Sequence, residues 1–155
     1  MLEAGGVTEP ECLREAEDML FLKMFFRYLH KHHKRVFLLF DEEEILQKVT
    51  SFIREDYRDM KIVDCVVLDG QGSSEEMIVN QINGVETDCV MAFMSSPEQE
   101  AFLSRNRALI NTKIWLGLGR DIYVRMKENT WFFRLKKFLT SHFLKRKIEK
   151  EQRKL

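Results

Sequence analysis

Four short, nearly continuous apolar runs punctuate the chain: KRVFLLF (34–40), MKIVDCVVL (60–68), DCVMAFM (88–94) and KIWLGLG (113–119). Each is the length of a strand, and the first, rich in branched and aromatic residues, fits a strand covered on both faces. Between them the apolar residues recur every three or four positions, as they do on helices. An opening helix over about 10–33 shows this period at Leu13, Ala16, Leu20, Met24 and Tyr28, with Phe21 and Phe25 alongside. Thr8, Pro10 and Glu11 supply the capping residue and first turn for it. Asp41 can cap a helix over EEEILQKVTSFIREDY, whose early acids suit a helix N-terminus. SEEMIVNQING reads as a short helix closed by Gly84, and PEQEAFLSRNRALI as another. Strand–helix alternation with short loops predicts an α/β fold. This is a Rossmann-like, mostly parallel sheet of about four strands flanked by helices. Such sheets present ligands beyond the carboxyl ends of their strands. That directs attention to Phe40–Asp41, 68–74, 94–100 and 117–121.

Composition adds limits. The chain has 155 residues, 45% hydrophobic and 32% charged, enough for one core and unlike a disordered chain. Cys12, Cys65 and Cys89 are scattered and form no C-x-x-C pair, which argues against a disulfide framework or zinc site. Cys65 and Cys89 fall in apolar runs and read as small buried hydrophobes. No apolar stretch is long enough to span a bilayer. The acidic, polar start MLEAGGVTEPE does not resemble a signal peptide. The expected location is cytoplasmic.

Charge is where the chain divides. Its net charge is zero, yet residues 120–155 hold 12 Lys/Arg against 4 Asp/Glu, leaving residues 1–119 at −8. The expected organisation is a Rossmann-like domain over 1–119 and a basic amphipathic helical appendage over 120–155. In the appendage Trp131, Leu135 and Phe138 form one row, with Phe132 and Phe143 beside it and Lys137, Lys145 and Arg146 on its flanks. Aromatic residues bordered by cations suit the inner face of an anionic membrane. The same pattern also suits a helix packed on its own domain. Nucleic acid is not expected as a partner, because a nucleic-acid tail has no use for the apolar face.

Few motifs carry chemistry. DGQGS (69–73) lacks the lysine and hydroxyl of a phosphate loop and reads as a plain turn. The histidines of HKHHK (His30, His32, His33) lack companion ligands, so neither metal nor cofactor is expected. SSPEQE is the strongest candidate. Pro97 in the first turn leaves amides pointing outward from a helix start, an arrangement that suits anions. Gln99 adds a donor and an acceptor. An ordinary cap at Ser96 is the plainer alternative.

On these residues the sequence resembles the WecG/TagA/CpsF family of bacterial glycosyltransferases. The family pattern D-I-L-F-V-G-L-G-S-P-K-Q-E, then E-N-R, then a strand ending G-V-G-G, is matched by Asp88, Ser96, Pro97, Gln99, Glu100, Asn106, Arg107, Lys113, Gly117 and Gly119. RVFLLF (35–40), MKIVDC and VNQING resemble the upstream R-V-F-L-L-G, L-K-I-V-G and I-E-R-I-N. The resemblance runs in order from about Met19 to Gly119. It implies transfer of an N-acetylmannosamine-type sugar from a UDP donor to an undecaprenyl-linked acceptor in cell-surface polysaccharide synthesis. Ser96, Pro97, Gln99 and Glu100 would then help hold the UDP-sugar. Arg120, Arg125 and Arg134 become the diphosphate candidates, because arginine suits phosphate oxygens.

The departures have consequences of their own. R-V-F-L-L-G-G ends here in Phe40-Asp41, G-L-G-S-P becomes Phe93-Met94-Ser95-Ser96-Pro97, and the lysine of P-K-Q-E is Glu98. The family's base aspartate belongs to an amino-terminal half that the resemblance does not cover. Asp69-Gly70-Gln71-Gly72 imitates its context at the wrong place, so no catalytic residue is assigned. Two expectations follow. One is a weakened or inactive glycosyltransferase domain, with a second protein supplying the missing half. The other is a non-catalytic partner of a full-length family enzyme.

Overall fold

The computed structural model describes the backbone of residues 9–70 and 72–128, and side chains from residue 18 onward. The elements are α1 (Glu9–Lys31), β1 (Val36–Phe40), α2 (Glu43–Asp56), β2 (Ile62–Val67), α3 (Glu75–Gly84), β3 (Cys89–Phe93), α4 (Glu98–Asn106) and β4 (Ile114–Leu118). A further helical stretch begins at 122. The chain divides into two compact units, Met1–Tyr123 and Val124–Leu155. Thr8 and every appendage residue from Trp131 to Arg146 discussed above lie outside the described residues.

All four strands are parallel, in the order β2-β1-β3-β4. From β1 the chain steps outward to β2, then crosses back over β1 to β3. The gap between the carboxyl ends of β1 and β3 is therefore the topological switch point. Val36, Cys89 and Ile114 lie level across β1, β3 and β4, as do Phe40, Phe93 and Leu118 at the other end. The central strands β1 and β3 are buried throughout, whereas the edge strand β2 is half-buried. One face of the sheet (Phe37, Leu39, Val90, Ala92) packs with Ile78, Val79 and Ile82 of α3 and Phe102 of α4. Right-handed crossovers put α2 on the opposite face.

The helix ends compare with the sequence expectation as follows, α3 ending at Gly84 as expected. Glu42, not Asp41, occupies the N-cap of α2 and makes no side-chain cap bond. The reason is that the Asp41 carboxylate is engaged elsewhere. α3 runs through Gly84 to a C-cap at Val85, and Glu86 takes the left-handed conformation (φ 49°). Ser74 caps α3 by accepting from the Met77 amide (3.2 Å). α1 stops where His33 turns left-handed (φ 48°) and the Lys34 amide donates to the Leu29 carbonyl (2.9 Å). The HKHHK histidines thus stand at a helix terminator. On α1 itself the buried row is Met19, Leu22, Phe26 and Leu29, while Leu20, Met24 and Tyr28 are exposed. Cys89 is fully buried, and burial pushes its thiol up to about 12. Cys65, on the edge strand, is only half-buried.

Candidate functional site

The residues beyond β1, β3 and β4 meet at the switch point. Asp41 directly follows β1, and its side chain is only 8% exposed. It accepts hydrogen bonds from the Ser95 amide (2.7 Å) and hydroxyl (2.9 Å), both beyond β3. From beyond β4, Arg120 donates to it through Nε (3.0 Å) and Nη2 (2.8 Å). The remaining guanidinium nitrogen, Nη1, pairs with Glu42 (2.6 Å). Burial would raise the Asp41 carboxyl. The Arg120 and Ser95 hydrogen bonds more than offset this and hold it below the ordinary aspartate range. The same contacts hold the Arg120 guanidinium above its ordinary value.

The start of α4 is occupied in a similar way. Ser95 Oγ donates to Glu98 Oε2 (2.8 Å), and the carboxyl of Glu98 is lowered first by that bond and then by its own backbone amide. Such amides at a helix start attract anions. Here the Glu98 carboxylate takes its own amide, and the Gln99 amide donates to the Ser95 carbonyl (3.0 Å). Behind the polar cluster, Phe40 and Phe93 stack at 5.3 Å between centroids, both essentially fully buried. Offset aromatic pairs of this kind add about 0.5–1.5 kcal/mol beyond their burial.

The other predicted residues are distributed as follows. The Ser96–Pro97 peptide is cis, Pro97 is the N-cap of α4 without a side-chain cap bond, and Ser96, Pro97 and Glu100 are exposed. Gln99 turns inward. With its amide oriented to satisfy both groups, its nitrogen donates to the carbonyls of Ala92 (3.0 Å) and Leu118 (3.3 Å). It ties the ends of β3 and β4 together. The side chain fits because Gly117 has no Cβ: one placed there would lie 3.0 Å from Gln99 Cδ and closer still to the amide terminus. Arg125 is exposed and belongs to the second unit, and Arg134 lies outside the described residues. In the DGQGS loop, Asp69 accepts from the Gly72 amide (3.1 Å), with Gly70 at φ 70°, as in an ordinary turn.

Residues 13–124 match the model of the glycosyl transferase WecG/TagA/CpsF family. The chain belongs to that family. Among curated proteins it is similar to the N-acetylglucosaminyldiphosphoundecaprenol N-acetyl-beta-D-mannosaminyltransferase of Bacillus subtilis (strain 168). The two are 29% identical over 110 residues, which cover 68% of this chain and 42% of that enzyme. The chain therefore spans about two-fifths of the relative's length.

Against the WecG/TagA/CpsF pattern, four positions that carry glycine are Phe40, Asp41, Phe93 and Ser95 in this chain. These four side chains meet one another: Phe40 stacks on Phe93, and Asp41 bonds Ser95. A fifth departure, Glu98 in place of lysine, joins the same cluster through Ser95. Two missed signals could have been read in the sequence. Asp41 looked like a helix cap. Ser95 stands beside the candidate cap Ser96 and carries the same hydroxyl, two residues past β3 as Asp41 is one past β1.

Proposed function

We propose that this chain is a glycosyltransferase-family domain of cell-surface polysaccharide synthesis whose nucleotide-sugar crevice is held closed by its own side chains. By itself it does not transfer sugar, and it serves as a partner of a catalytic protein. One observation carries the reading: the donors that could take a diphosphate at the switch point already hold protein carboxylates. Arg120 and the Ser95 amide are on Asp41, and the α4 start is on Glu98. A UDP-sugar entering there must displace a short, nearly buried ion pair. It must also find room where two phenyl rings now stack.

The donor class, a UDP-linked sugar of the N-acetylmannosamine type, and the undecaprenyl-linked acceptor are carried by family membership. The relative's name supports the N-acetylmannosaminyl group and the undecaprenyl-linked acceptor, and the UDP carrier is part of our proposal. Among the described residues no helix is long and apolar enough to cross a membrane. We assign contact with the inner membrane surface and its lipid-linked acceptor to the basic aromatic residues around Trp131–Arg146.

The test is a thermal-shift titration with UDP and UDP-N-acetylmannosamine. Ligand that binds the folded state raises the midpoint once its concentration passes the dissociation constant. The wild type should show no saturable shift at millimolar ligand. Asp41→Gly with Glu98→Lys, which leaves Arg120 held by Glu42 alone and clears the helix start, should show one, and Arg120→Ala added to that pair should abolish it. A saturable wild-type shift lost in Arg120→Ala favours the second reading, in which the donor itself opens the crevice and the chain is a working transferase half.

A further inference from the structure

α1 has two apolar rows, and only one is buried. Met19, Leu22, Phe26 and Leu29 are buried, and Phe26 sits edge-on to Tyr57 (4.9 Å). On the other side Leu20, Phe21, Met24 and Tyr28 are 57%, 58%, 62% and 43% exposed. Their rings are already ordered along the helix, with Phe21 stacked on Phe25 and Phe25 on Tyr28. Positions 17, 21, 24, 28 and 31 recur at alternate spacings of four and three, the seam of a helix pair. The seam is apolar in its middle (Phe21, Met24, Tyr28), acidic at one end (Glu17) and basic at the other (Lys31).

We infer that this face is a two-fold interface between copies of this chain, with the two α1 helices antiparallel and crossing near Met24. Charge selects the occupant. Residues 9–18 carry five acids and one arginine, whereas residues 19–31 carry Lys23, Arg27 and Lys31 and no acid. An antiparallel partner of the same sequence sets the acidic half of each helix against the basic half of the other. An isologous interface requires this kind of self-complementarity. A parallel arrangement would oppose like charges at both ends. An anionic membrane would meet the acidic half of the helix unfavourably. At 23 residues, or about 34 Å of helix, the element is long enough for such a pairing.

Sedimentation velocity on the full chain over the micromolar range tests it. The wild type should be a dimer whose dissociation constant rises with salt. Met24→Asp, at an exposed position that leaves the buried row intact, should raise that constant by tenfold or more. Glu17→Lys should weaken the dimer by roughly three- to tenfold, and Glu17→Lys with Lys31→Glu should restore it, because only antiparallel pairing opposes these two positions. A wild type that stays monomeric at 100 µM overturns the inference, as does a dimer indifferent to Met24→Asp or a double swap that fails to rescue. Vesicle binding by a monomeric wild type, lost in Met24→Asp, would also overturn it and give the face to lipid.

Discussion

The two ends of the sheet each carry an arginine and an aspartate, and the pairs are built differently. At the amino end, Arg35 and Asp88 precede β1 and β3. Asp88 accepts from the Arg35 backbone amide (3.0 Å), and the Arg35 guanidinium donates to the Val85 carbonyl (2.7 and 3.0 Å). Each charged group there satisfies backbone, and Lys113 approaches Asp88 only at 3.6 Å. At the carboxyl end, Asp41 and Arg120 satisfy each other, side chain to side chain. The first arrangement joins neighbouring strands and loops into one sheet. In the function we propose, the second neutralises two groups that a ligand would otherwise engage. The same residue types serve as a fastening at one end and a lock at the other.

The comparison can be broken from several sides. The largest effect is expected for Phe40→Ala, which opens a cavity under the lock and should cost about 3–5 kcal/mol in chemical denaturation. Paired with Phe93→Ala, the loss should be less than additive, since each ring is the other's neighbour. Next is Asp88→Ala, which leaves the part-buried Arg35 amide without its acceptor and should cost about 1–3 kcal/mol. Like the wild type, it should show no saturable shift with UDP. Asp41→Ala should cost less, about 1 kcal/mol, because the partly exposed Arg120 guanidinium keeps Glu42 and can turn its other donors to water. Unlike Asp88→Ala, it should create affinity for inorganic phosphate. Equal ligand responses from the two alanine variants would erase the distinction between fastening and lock.

The smallest effect is in acid. Both carboxyls are held below the ordinary range: Asp88 first by the Arg35 amide, Asp41 by Arg120 and Ser95 acting against burial. A lowered folded-state pKa means that the unfolded chain takes up protons first. The stabilisation is therefore complete above about 3.9, the ordinary aspartate value, and is lost as pH falls through the folded values. Asp41→Asn and Asp88→Asn should each flatten part of the fall in thermal midpoint below pH 4. A midpoint that falls equally steeply in both variants would mean that neither pair contributes to it.

Much of the fold was legible because buried parallel strands leave continuous apolar runs, and VFLLF and CVMAF are buried at every position. Helix ends were less so. Asp41 has the right chemistry for a cap, but a cap competes with any better partner, and an arginine 79 positions away is one. On α1 both rows are apolar, so periodicity showed a helix without showing which row is buried. The site was half legible. SSPEQE was found from its own composition, and Arg120 from its charge. The lock required knowing that Phe40 and Phe93 lie level across adjacent strands. That knowledge comes from sheet order. Gln99 was read as facing a ligand because its amide can donate and accept. The same amide serves two strand-end carbonyls, and Gly117 leaves the space for it.

The pairing of Phe40 with Phe93 and Asp41 with Ser95 also sets a cost on opening the crevice that we propose is closed. Restoring glycine at one member of a pair strands the other: a ring facing a void, or a carboxylate short of a donor. Each single step back toward an open crevice begins with a loss of stability. Only a concerted change of both members of a pair avoids that loss, so the two pairs act as ratchets.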